Sequence, residues 1–98
     1  MKPSMIPHSE RARTMTRKFV ALIRKEKNTD YWVDIPDLPG CVSAGETEEE
    51  AKAKFQAALA FHLEGMKEEG LELPVPRSRE DVLAAEEDPY VSDYIIEF

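Results

Sequence analysis

The sequence predicts one small α+β domain in the order β-β-β-α-(α)-β. Its four-stranded sheet, antiparallel or mixed, carries one long helix on one face. Three observations predict it. Alternating apolar runs lie near both ends of the chain, at Arg17–Lys27 and Tyr90–Phe98. Between them a capped stretch repeats its apolar residues with helical spacing. The chain has 98 residues, too few for a second core.

Each element follows from local chemistry. In RKFVALIRKEK, charge flanks an apolar centre; Phe19, Ala21 and Ile23 share one face of a strand, and Val20 and Leu22 the other. Asn28-Thr29-Asp30 is a turn signal short enough for a hairpin. Tyr31–Ile35 makes a second strand, with Tyr31, Val33 and Ile35 opposite Trp32 and Asp34. Pro36-Asp37-Leu38-Pro39-Gly40 cannot continue a ladder, because two prolines remove donors and Gly40 permits positive φ. The loop reads as a rigid crossover into a third strand, Cys41–Ala44.

Thr47-Glu48-Glu49-Glu50 is a capping box, and its glutamates suit the positive end of the helix dipole. The helix is expected to reach Glu69 and end at Gly70. Ala51, Phe55, Ala58, Leu59, His62, Leu63 and Met66 form one stripe toward the sheet. A shorter helix starts near Ser78, with Asp81 in a capping role, and Asp88-Pro89 ends it. In the last strand Tyr94, Ile96 and Phe98 share a face, and Ile95 and Glu97 the other. The first and last strands are apolar on both faces, and one helix covers only one. The uncovered face is expected to need a partner, a second copy or the N-terminal arm, which predicts a homo-oligomer, dimer or tetramer.

Composition narrows the function. The net charge is −7, unevenly placed: through Lys27 there are eight Lys/Arg against Glu10 and Glu26, and beyond it five Lys/Arg against eighteen Asp/Glu. An acidic body repels nucleic-acid phosphate and attracts basic partners, so direct DNA binding is not expected. Residues 1–16 are polar, basic and aperiodic, and read as a flexible arm; 17–98 read as the folded domain. Arg11, Arg13, Arg17 and Lys18 lack interleaved aromatics. The single cysteine, Cys41, forms no intrachain disulfide and is expected to be buried and inert. No apolar run reaches membrane-span length and no signal peptide is evident, so a cytoplasmic protein is expected.

From Tyr31 to Gly70 the chain resembles the HicB-like antitoxin family. The resemblance rests on Tyr31-Trp32-Val33-Asp34-Ile35-Pro36-Asp37-Leu38-Pro39-Gly40-Cys41-Val42, on Gly45-Glu46-Thr47 and Glu49-Glu50-Ala51, and on Ala58, His62, Leu63 and Gly70. Leu73-Pro74 and Pro76 follow in the same order. It implies a truncated ribonuclease-H-like fold and a place in a toxin–antitoxin pair, binding a small basic RNA-cleaving toxin (HicA-like) and masking its active site. Many relatives add a C-terminal DNA-binding module. This sequence stops at Phe98 within the last strand, so none is expected here. A fold kept without a toxin, as an orphan oligomeric binding module, is the alternative.

No catalytic role is expected. Ribonuclease-H-like enzymes place an essential Asp in the middle of the first strand, and Phe19–Ile23 has no acid there. His62 lies on the apolar stripe with no second histidine near in sequence, and reads as packed against the sheet. No cofactor or metal is expected. The candidate partner or oligomer surface is Trp32, Glu48, Glu49, Glu68 and Ile95, with a helix face bearing Glu48, Glu49 and Glu68 meeting the toxin.

Overall fold

A computed structural model describes residues 17–98. The arm assigned to 1–16 lies outside the described residues. The elements are β1 (Lys18–Arg24), β2 (Tyr31–Asp34), β3 (Val42–Gly45), α1 (Glu48–Glu68), α2 (Arg79–Ala85) and β4 (Ser92–Glu97). The strands form one sheet in the order β3-β2-β1-β4. Every neighbouring pair is antiparallel, which resolves the mixed alternative. Arg17 and Phe98 exchange two further backbone hydrogen bonds, so the β1–β4 ladder runs to the end of the chain.

The strands are shorter than the sequence suggests. Lys25–Lys27 leave β1 because the turn begins early: Asn28 takes φ 67°, and the Thr29 hydroxyl accepts from the Glu26 amide. Tyr90 and Val91 precede β4, although the Val91 amide still donates to the Ile23 carbonyl.

The cap of α1 forms as expected at its first residue and differs at its second. Thr47 accepts from the Glu50 amide at 3.0 Å, while the Glu50 carboxylate takes the amide of Glu46 rather than that of Thr47. Gly70, at φ +74°, ends the helix, with its amide bonded to the Lys67 carbonyl. In α2 the cap is Ser78, which accepts from the Asp81 amide; Asp81 is the partner and not the cap.

The main core lies between α1 and one sheet face. It joins Phe19, Ala21 and Ile23 of β1 to Val33, Ile35, Leu38 and Cys41, to Ala51, Phe55 and Leu59 of α1, and to Ile96. Phe98 stacks on Phe19 with ring centroids 5.0 Å apart. Gly45 is required where β3 meets α1, since a Cβ there would stand 2.6 Å from the Ala51 nitrogen.

The opposite face corrects one expectation. Val20 and Leu22 form a second core with Val82 of α2, and Leu83 and Tyr90 pack against it. The short helix therefore covers the centre of the face expected to need a partner. Two arginines fasten it there. Arg79 of α2 pairs with Asp93 of β4 at 2.6 Å. Arg24 of β1 binds Asp34 through two nitrogens and reaches Glu86, just past α2.

Candidate functional site

The sheet and its two helices leave two different surfaces open. One is a groove of about 470 Å³ between the C-terminal half of α1 and the turn from Gly40 to Val42. Along α1 it is lined by Ala58, Phe61, His62, Gly65, Met66 and Glu69, which recur at helical spacing and share one side. Phe61 is 81% exposed, and Val42 and Leu71 on the other walls are 60% and 56% exposed. A Cβ on Gly65 would meet nothing within 4 Å, so the helix wall is open there.

The turn forming the other wall is held from below. Leu38 is buried, and its amide bonds to the Ile35 carbonyl. Gly40, at φ +99°, lies close to His62, and an added Cβ would stand 3.4 Å from its ring. His62 is half-buried, with its ring close to this loop. Cys41 lines the groove as a buried thiol, and burial pushes its pKa up, which favours the protonated form.

Asp37 ties the loop to the segment after α1. It accepts from the Arg77 amide at 2.7 Å and from the Arg77 guanidinium at 2.8 Å. Burial alone would push the Asp37 carboxyl up, but the hydrogen bonds and charge of Arg77 outweigh it and hold it below the usual carboxylate range. A lowered folded pKa means stability that is full above the unfolded value of about 3.9 and is lost as pH falls through the folded value. Asp37→Asn is therefore expected to be less stable than the parent at neutral pH. The gap should narrow as acid is added below about pH 4. Urea unfolding at a series of pH values checks this, and a gap independent of pH would refute it.

The second surface lies on the α2 side of the sheet. Trp32 of β2 faces Arg24 across β1 and Ala44 across β3, beside exposed Val42. Ile95 of β4, 47% exposed, lies opposite Val20. The two are separated by β1 and by four residues of register, roughly 10 Å across and 13 Å along the strands.

The five candidate residues do not form one surface. Glu48 and Glu49 stand in the first turn of α1, and Glu68 ends it, about 30 Å away at 1.5 Å per residue. Glu48 and Glu68 also point to different sides at about 100° per residue, so no helix face bears all three glutamates. Glu68 sits beside the groove, whereas Trp32 and Ile95 lie on the opposite side of the sheet. Phe61 and Leu71 escape a sequence reading directed at the buried stripe. The available signal was an aromatic residue lying off that stripe.

Acidic groups stand near the groove, as they do at the start of α1 (Glu46, Glu48, Glu49 and Glu50) and around α2 (Glu80, Asp81, Glu86, Glu87 and Asp88). From Glu64 to Glu72 the chain carries Glu64, Glu68, Glu69 and Glu72 against Lys67 alone. Residues 17–98 hold ten Lys/Arg and nineteen Asp/Glu. Among the described residues no group of three or more His, Cys, Asp or Glu is placed to hold a metal ion, and no helix is long and apolar enough to cross a membrane.

A family model described as the HicB-like antitoxin of bacterial toxin–antitoxin systems matches residues 19–97. The N-terminal domain of the Burkholderia pseudomallei antitoxin HicB superposes with a TM-score of 0.63 at 27% identity, covering 81% of this chain and 94% of that domain. The longer B. pseudomallei HicB structure gives 0.61 at 28% identity, with 82% of this chain and 60% of that one covered. A 14.9 kDa protein from the rep-hol intergenic region of Haemophilus phage HP1 is 41% identical over 69 residues, 70% of this chain. The match spans half the phage protein's length. A UPF0150 protein of Thermoplasma acidophilum is 30% identical over 63 residues, 64% of this chain and 91% of the relative.

Proposed function

Since the chain belongs to the HicB-like antitoxin family, we propose that it neutralises a small basic RNA-cleaving toxin by binding it and masking its active site, with residues 17–98 as the binding domain. The observation that carries this reading, beside the family, is the acidic surface next to exposed apolar side chains. Opposite charge speeds encounter, and buried apolar contacts supply most of the affinity. The protein acts by occlusion and carries out no chemistry of its own. The reading also includes a cytoplasmic location and self-association as a dimer or tetramer, for which exposed Val75, Val91 and Ile95 offer apolar contacts.

The test is genetic and then physical. A neighbouring reading frame should encode a short basic protein that arrests growth when expressed alone, and co-expression of this chain should restore growth. The purified pair should associate more slowly as salt rises. If the neighbour is absent, or if its toxicity is unrelieved, the antitoxin reading fails and an orphan binding module takes its place.

A further inference from the structure

We propose that the groove beside the C-terminal half of α1 takes an apolar side chain carried on a lysine- and arginine-rich segment of the toxin, with Phe61 as the aromatic anchor; this rests on the antitoxin reading above. Two of the exposed large apolar residues, Phe61 and Leu71, border this groove, and Val42 stands at its edge, where β3 also meets the α2 side of the sheet. Scattered single apolar residues are ordinary on a protein surface, whereas a contiguous set rimmed by charge marks a binding site. Gly65 weakens a helix interior by about 1 kcal/mol relative to alanine, yet nothing crowds its position, so it opens the groove and relieves no clash.

The rim selects the occupant. Glu69 lines the groove, Glu64 and Glu68 flank Phe61 at helical spacing, and the C-terminal end of α1 adds its own partial negative charge. A second copy meeting this surface symmetrically would bring the same acidic rim against itself. A cationic segment finds carboxylates on the rim and an apolar slot between them. The walls are also set in advance. Asp37 anchors the loop to Arg77, and the Leu71 amide is bonded to the Met66 carbonyl, so little ordering is left for the binding step.

The probe is the basic protein encoded beside this chain, in an active-site variant that spares the host, titrated calorimetrically against the full chain. Phe61→Ala is expected to weaken binding at least about tenfold, as loss of an aromatic anchor does. The phenylalanine is exposed and alanine favours helix, so the fold tolerates the change. The double substitution Glu68→Lys/Glu69→Lys should weaken binding and flatten its salt dependence. Gln56→Ala, at an exposed position on another side of α1, should bind within about twofold of the parent. If the parent binds and both groove variants bind equally well, the groove proposal is overturned and the antitoxin reading stands. If the parent itself does not bind, the antitoxin reading fails, and the groove proposal fails with it.

Discussion

Replacing Arg24 with methionine is expected to lower the unfolding free energy by about 3 kcal/mol, toward the lower end of the range for breaking a buried ion pair from one side. Arg24 is 8% exposed and joins three parts of the fold. Its guanidinium contacts Asp34 at 2.6 and 3.2 Å, Glu86 at 3.1 Å, and the carbonyls of Asp88 and Pro89 at 3.5 and 3.3 Å. The hydrogen bonds it donates to Asp34 hold its pKa above the ordinary arginine value despite burial, so it stays charged throughout the usable pH range. Methionine keeps the apolar stem and removes every donor, leaving two carboxylates partly buried without their cation. The segment from Glu86 to Tyr90 should then loosen, uncovering Val20 and Leu22. Urea unfolding gives the stability, and binding of a hydrophobic dye to the native state reports the uncovered face. Replacing the whole set, Arg24→Met with Asp34→Leu and Glu86→Leu, should recover most of the loss, because no charge is then left unpaired. A single Arg24→Met variant within about 1 kcal/mol of the parent would show that Arg24 does not hold the segment after α2 in place.

Phe55→Ala is expected to cost about 3–5 kcal/mol, the range for a fully buried phenylalanine truncated without collapse of the site. Phe55 is completely buried at the middle of the helix–sheet core, in one cluster with Phe19, Ile23, Val33 and Ile35. A domain of this size has a total stability on the order of 5–10 kcal/mol, so the variant should be marginal at room temperature. Its melting temperature should fall by more than about 12 °C. Phe55→Leu, which refills most of the volume, should lose much less. Thermal and urea unfolding followed by far-UV circular dichroism read both variants. A loss below about 1 kcal/mol for alanine would mean that α1 is not docked through this side chain.

Both substitutions test packing, and packing is where sequence reading and structure part company. The strand faces were legible: Phe19, Ala21 and Ile23 do meet α1, and Val20 and Leu22 do face away. The helix stripe was legible as well, with Ala51, Phe55 and Leu59 fully buried and Ala58, His62, Leu63 and Met66 half-buried at its edge. Strand ends were overextended where turn chemistry at Asn28 and the approach of Tyr90 to the second core cut the ladders short. The candidate site was legible only in part. Charge pointed to Glu48, Glu49 and Glu68 together, and the first two stand at the opposite end of the helix from the third.

By itself the sequence determined the α+β class, the element order, the helix start at Thr47 and its stop at Gly70, and the family resemblance. These follow from residues within one or two turns of each other, whose caps, prolines and periodicities act locally. Only the tertiary structure decided that α2 covers the centre of the second face, that Phe61 and Leu71 border one groove, and that Trp32 and Ile95 lie apart. Those outcomes depend on partners distant in the chain, such as Arg24 with Glu86, sixty-two positions away, and Asp37 with Arg77, forty away. A period shows which side of an element is apolar. What covers that side depends on where the rest of the chain comes to rest.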